Sequence, residues 1–265
     1  IDNQILCNDE FTDPIQFTTL NTDGVTEYNW TNTNTSIGLP SAGTGDIGSF
    51  SVVNTSTSAQ SATITVTPTY TNNGVICSGN SEQFTITVNP SAQVNGLADY
   101  NTILCDGEFT PVYSFSTANT DGLTTFNWTN NNLAIGLADS GEGGIPSFQV
   151  TNSTQSTISA TITVTPSYEN NGIFCDGNAE TFTITVNPSP EMDNVDDVVL
   201  CNNEISSIIE FTTPNTDGNT TYTWTNDNTS IGLSSTGNGD IPSFTALNLS
   251  PITEVATITV TPTYE

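Results

Sequence analysis

The strongest pattern along the chain is alternation. In Ala62-Thr63-Ile64-Thr65-Val66-Thr67 the aliphatic residues fall on one side and the threonines on the other, and Phe84-Thr85-Ile86-Thr87-Val88 does the same. Both segments return, as residues 160–165 with 182–186 and again as 256–261. A period of two marks a strand with one face in a core and the other in water. No helical period of useful length appears, and Thr, Asn, Ser, Gly, Ile and Val dominate, a strand composition with turn punctuation.

Three turn words separate the strands. Asn21-Thr22-Asp23-Gly24 recurs at 119–122 and 215–218, and its Asp-Gly predicts a residue at positive φ. Asn72-Asn73-Gly74 recurs at 170–172, and Gly43-Thr44-Gly45-Asp46 recurs at 141–144 and 237–240. At this spacing the pattern predicts about seven short strands per unit, hence an all-β fold of two-sheet sandwiches.

The units themselves repeat. Cys7, Cys105 and Cys201 each precede a Trp by 23 residues: Trp30, Trp128 and Trp224. Offsets of 98 and 96 residues are those of whole domains rather than of solenoid turns. The predicted units are 1–90, 91–188 and 189–265. Asn89-Pro90-Ser91-Ala92 and Asn187-Pro188-Ser189-Pro190 close the first two. Pro ends a ladder and stiffens a joint, so an extended rod is expected. The third copy reads as cut short before its last strand and second Cys.

Composition removes most chemistry. There are 28 Asp plus Glu and no Lys, Arg or His, a net charge of −28. Without His there is no nucleophile relay of the Ser-His-Asp kind. Without Lys or Arg there is no Schiff base, no phosphate clamp, and no side-chain salt bridge. Such a charge repels nucleic acid and anionic lipid. No run of apolar residues is long enough to span a membrane. An enzyme is not expected.

Each complete copy holds two Cys, 70 residues apart: Cys7 with Cys77, and Cys105 with Cys175. The repeat predicts one disulfide within each unit, with Cys201 unpaired by truncation, in an oxidising, extracytoplasmic setting. A metal site or free thiols are the alternatives. Trp30, Trp128 and Trp224 are predicted to fill the core beside the bridge, the rival being an exposed platform for sugar stacking. For Ca²⁺, which takes oxygen ligands, the candidates are Asp46 and Asp240 in the Gly-rich turns and Asp196 and Asp197 beside a joint. Gly144 stands where Asp46 would recur, and no Ca²⁺ loop motif is present. A plain solvated acidic surface is the expected alternative, with no cofactor. Paired carboxylates could in principle hydrolyse glycosides, but nothing positions such a pair.

The ordered words are Cys-x-(Asp/Gly/Asn)-Glu, Trp-Thr-Asn, Ile-Gly-Leu, a Gly-rich turn with Ser-Phe, and Ala-Thr-Ile-Thr-Val-Thr-Pro-x-Tyr. Asn-Asn-Gly, Cys-x-Gly and Phe-Thr-Ile-Thr-Val-Asn-Pro follow. This series resembles the PKD-like repeats of very large surface proteins of gliding Bacteroidetes, the SprB-type gliding adhesins among them. The resemblance spans nearly the whole chain. It implies tandem immunoglobulin-like sandwiches, exported by the type IX secretion system and displayed outside the cell. Trp-Thr-Asn stands where standard PKD domains carry an aspartate-bearing stretch. On this reading the chain is a stalk segment of a cell-surface adhesin filament. Its partners are neighbouring repeats, with polysaccharide or gliding and secretion machinery met through other parts of the protein. The alternative is a module whose repeats bind glycan or Ca²⁺.

Overall fold

The computed structural model describes all 265 residues. The chain is all-β apart from short 3-10 turns. The first copy contributes β1 (Gln4–Cys7), β2 (Val25–Asn32), β3 (Ala42–Thr44), β4 (Gln60–Asn72), β5 (Val75–Ser78) and β6 (Glu82–Asn89). The second contributes β7 (Thr102–Cys105), β8 (Leu123–Asn130), β9 (Ser140–Glu142), β10 (Ile158–Asn170), β11 (Ile173–Asp176) and β12 (Glu180–Asn187). The third contributes β13 (Thr220–Asn226), β14 (Thr236–Asn238) and β15 (Ile258–Tyr264).

The first sheet runs β1-β6-β4-β2-β3, with β5 also paired to β4, and the second repeats it strand for strand. β1 lies parallel to β6, and every other pair is antiparallel. The opposing layer is an irregular ribbon held at single bridges, Phe11 to Ser51 and Ile15 to Ile47, copied at Phe109 to Gln149 and Tyr113 to Ile145. Ile15, Ile37, Ile47 and Val52 pack with Trp30, Ile64, Val66, Phe84, Ile86 and Val88 to form one core. Burying each such side chain contributes about 1.5–3 kcal/mol. The third sheet is β14-β13-β15, over a smaller core around Trp224 and Ile241. Its counterpart of β1, ending at Cys201, has no parallel partner and forms no strand.

The alternating segments are longer strands than the pattern shows. β4 continues through Pro68 to Asn72. Pro68 is tolerated because β4 changes partner there. β6 pairs with Gln60–Val66 and β5 with Thr69–Asn72. The missing N–H thus falls in the gap, and the Pro68 carbonyl still accepts from Gly79 N–H at 2.9 Å. Asn73 and Gly74, both at positive φ (49° and 81°), close the β4–β5 hairpin in the conformation a two-residue turn needs.

Other words acquire physical causes. In Trp-Thr-Asn, the Asn32 side chain is buried, donates to the Leu39 carbonyl at 2.9 Å and accepts from Asn34 N–H. It folds the following 3-10 turn, in which Ile37 is fully buried. In Cys-x-(Asp/Gly/Asn)-Glu, the third residue takes a left-handed φ: 67° at Asp9, 84° at Gly107 and 70° at Asn203. That turn brings Glu10, Glu108 and Glu204 back to accept from the Cys backbone N–H, at 2.7 Å in each copy.

Candidate functional site

The disulfide does not lie within a unit. Cys7 is bonded to Cys175, across the boundary between the first and second copies, with 5.4 Å between Cα atoms. The expected pairs Cys7–Cys77 and Cys105–Cys175 are absent, and Cys77, Cys105 and Cys201 are free and exposed. Register explains the correction. Cys7 lies opposite Asn89 at the end of β6, whose neighbour Val88 faces Gln60, the first residue of β4. Cys77 faces Tyr70, near the other end of that strand. Ten strand residues separate Gln60 from Tyr70, roughly 33 Å at the usual rise, whereas a bridge needs Cα atoms within about 7 Å. Two Cys at opposite ends of one sandwich can bond only to its neighbours.

The staple is one part of a built joint. Thr120 N–H donates to the Thr57 carbonyl of the preceding copy at 2.8 Å, and Asn89 Nδ2 donates to the Asn170 carbonyl at the β10–β11 hairpin tip. The connecting segment is pinned as well. Asn119 accepts from Gln93 N–H at 2.7 Å and donates to the Ser91 carbonyl at 3.1 Å. The second joint uses the same parts. Thr216 N–H donates to the Gln155 carbonyl at 2.8 Å, while Asn215 accepts from Glu191 N–H and donates to the Ser189 carbonyl.

Asn-Thr-Asp-Gly is therefore the joint contact, and not the tip of a hairpin. Its Gly has a steric task. A Cβ at Gly24, Gly122 or Gly218 would sit 2.5–2.7 Å from the ring of Tyr70, Tyr168 or Tyr264, the Tyr of Thr-Pro-x-Tyr. The positive φ expected of the Asp-Gly pair falls on Asp121 in the second copy and on Gly218 in the third, and on neither residue in the first.

The second joint adds a polar cluster. Asp217 accepts from Thr157 N–H at 2.8 Å and from Tyr264 OH at 2.7 Å, and the Tyr264 hydroxyl also meets Thr157 Oγ1 at 3.1 Å. The Tyr264 hydroxyl, with the Thr157 N–H, holds the Asp217 carboxyl below its ordinary value. Cys105, which stands at this joint where Cys7 stands at the first, is unbonded.

The three Trp lie in the cores, 7 %, 6 % and 3 % exposed, and the sugar-platform reading of them is overturned. They are packed by Gly43, Gly141 and Gly237 of the Gly-rich turns, where a Cβ would run into the indole ring. They do not lie beside a disulfide, since that bond is outside the sandwich. The aromatic side chains open to water are instead Phe11, Phe109 and Phe174. No periodicity distinguishes these from core residues, because the ribbon carrying Phe11 and Phe109 is irregular.

Asp46 and Asp240 do not converge with other acids. Each accepts a backbone N–H from the facing segment, from Phe17 at 2.8 Å and from Phe211 at 2.9 Å. Asp196 and Asp197 lie in an exposed connecting stretch. Nowhere do three His, Cys, Asp or Glu side chains gather as a metal site would require. Asn54 is buried, its amide donating to the Val88 and Ser58 carbonyls.

Strand order and layering define an immunoglobulin-like β-sandwich, repeated in tandem. No protein-family model matches the chain, and no curated protein matches it. Among solved structures it is similar to a titin segment of three immunoglobulin domains carrying E-to-A mutations. The identity is 10%, the TM-score 0.47, and the match covers 98% of this chain and 94% of that one. Drosophila N-cadherin EC1-4 matches at 12% identity and TM-score 0.33, over 100% of this chain and 70% of that one. No helix of the structure is long and apolar enough to cross a membrane.

Proposed function

We propose that the chain is a load-bearing stalk segment of a large cell-surface adhesin, made of three consecutive repeats, 1–90, 91–188 and 189–265. The observation that carries this reading is the disulfide placed across a joint instead of inside a core. A bridge inside a sandwich stabilises that sandwich. A bridge between sandwiches restrains the angle between them and gives tension a covalent path, which is of use only if the order and spacing of the units matter. The Asn-Thr clamps at both joints serve the same end.

The disulfide supports export to an oxidising exterior, where structural bonds of this kind form and persist. Attachment at the cell surface, passage through the type IX system and service in gliding rest on the resemblance of the repeat words to those of gliding adhesins. Uniform negative charge would hold neighbouring stalks apart over about 8 Å at physiological salt. The glycan-binding alternative loses its Trp platform and would have to use Phe11 and Phe109. Ca²⁺ binding at Asp46 or Asp240 would have to draw its remaining ligands from backbone carbonyls and water, since no further acids gather beside them.

Small-angle scattering on the purified chain tests the stalk. The expected result is an elongated particle whose maximum dimension does not change with ionic strength. A compact particle, or an ensemble of freely jointed units in the oxidised protein, would overturn the reading.

A further inference from the structure

We infer that the first joint holds a buried water molecule, bound between the Asn89 side-chain carbonyl and the Tyr168 hydroxyl, at the place where the second repeat carries the hydroxyl of Thr157. The inference rests on the observed contact between the first and second repeats and not on the stalk reading. Asn89 ends β6 and is fully buried. Its Nδ2 is used, donating to the Asn170 carbonyl of the second repeat at 3.3 Å. Its Oδ1 is enclosed and has no hydrogen-bond partner in the protein. Turning the amide over gives no relief, because Oδ1 would then face the Asn170 carbonyl, acceptor against acceptor. Buried side-chain oxygens are in the large majority paired, with protein or with ordered water.

The next repeat shows what the position requires. Asn187 is the counterpart of Asn89, and its Oδ1 accepts from Thr157 Oγ1 at 3.2 Å. The same Thr157 oxygen lies 3.1 Å from the Tyr264 hydroxyl. In the first repeat Ala59 stands where Thr157 does, and at the first joint Tyr168 stands where Tyr264 does. The hydroxyl and methyl that Ala59 lacks take up close to the roughly 30 Å³ that a water molecule occupies in the liquid.

The two neighbouring groups select the ligand. Tyr168 is fully buried, and its one hydroxyl proton goes to the Thr120 carbonyl at 3.0 Å. Its oxygen is left to accept, as is Asn89 Oδ1. Two acceptors on either side of one position need a bridge with two protons to give. A hydroxyl has one, and water has two. The site is also continuous with the staple. Asn89 is the register partner of Cys7, and Tyr168 is that of Cys175, so the two groups flank the two bonded cysteines on opposite sides of the joint. One end of the water is held by the first repeat and the other by the second, which makes it part of the contact between them.

A high-resolution crystal structure of the oxidised full chain should show one solvent peak within about 3 Å of both Asn89 Oδ1 and the Tyr168 oxygen. In Ala59→Thr the peak should be gone, with the new hydroxyl donating to Asn89 Oδ1 in its place. Ala59→Val fills the same volume but brings no donor, so it should expel the water and leave Asn89 Oδ1 unpaired. Ala59→Thr should therefore unfold about 2–4 °C above Ala59→Val in the oxidised protein. Crowding at the site would lower both variants alike, so the difference between them reads the hydroxyl and not the fit. No peak at the site, a peak ringed by six or more oxygens at the roughly 2.3–2.6 Å of a bound Ca²⁺, or equal midpoints for the two variants would each overturn the proposal.

Discussion

The staple dictates how the chain extends under load. When the protein is pulled from its two ends, tension reaches Cys7, crosses to Cys175 and continues to Glu265. The 168 residue steps between the two Cys lie inside a covalent loop and carry none of it. Only residues 1–6 and 176–265 can be drawn out, so the load falls on the third repeat, on β12 of the second and on β1, while the rest of the first two repeats is shielded. Cutting the bond, by reductant or by Cys7→Ser, frees the loop. At about 3.3–3.6 Å per residue, 168 steps add roughly 550–600 Å of contour length. Single-molecule force spectroscopy reads that quantity directly. The oxidised chain should extend no further than the contour of residues 1–6 and 176–265, and the reduced chain should go on to add the released length. Cys77→Ser and Cys105→Ser should behave as the parent. If the oxidised protein already extends to its full contour, or reduction adds a length near 70 residues instead of 168, the cross-joint path is wrong.

Four further outcomes follow from the same contacts. On the chain-entropy account, closing a loop of this size stabilises the folded state by about 5 kcal/mol, so reduction should lower the denaturation midpoint of the first two repeats together and leave the third unmoved. Gly141→Ala forces a methyl into the Trp128 ring and should cost about 1–3 kcal/mol in urea unfolding, with intrinsic fluorescence from the displaced indole shifting alongside. Glu108→Ala removes the acceptor of the Cys105 N–H on an exposed turn and should cost no more than about 1 kcal/mol. At the second joint, the lowered Asp217 value means that its contribution is present above the ordinary carboxylate range and is lost as pH falls through its folded value. Carboxyl NMR should find Asp217 titrating below the other acids, and Tyr264→Phe should move it back up; an Asp217 that titrates with the rest would refute the contact.

The alternating segments, the three cores and the identity of the Trp as core residues could be read from the chain, because period two and burial are linked by strand geometry. The joints could not. Asn-Thr-Asp-Gly has the composition of a hairpin turn, and composition reports only that a backbone can bend. What the bend touches is settled by the Tyr ring lying on Gly122 and by the loop of the preceding unit at Thr57. The cysteine pairing failed for a related reason. In a tandem repeat, bonding within a unit and bonding to the next give the same pattern of Cys positions. Only the register of β4, which places Cys7 and Cys77 a strand's length apart, separates the two.

The same geometry accounts for how a chain with 28 acids and no base can hold carboxylates in place. The fixed ones bind backbone N–H groups instead of cations. Glu10, Glu108 and Glu204 hold the Cys turns, Asp46 and Asp240 hold the ribbon, and Asp217 holds the neighbouring repeat. A backbone donor cannot titrate, needs no long side chain to be ordered, and recurs wherever the fold recurs. Repetition therefore copies the acid together with its partner. Where the acid is absent, at Gly144, the Tyr113 carbonyl lies 2.7 Å from where a side chain would begin. Basic residues are dispensable to this scaffold because the donors they would provide are already in its main chain.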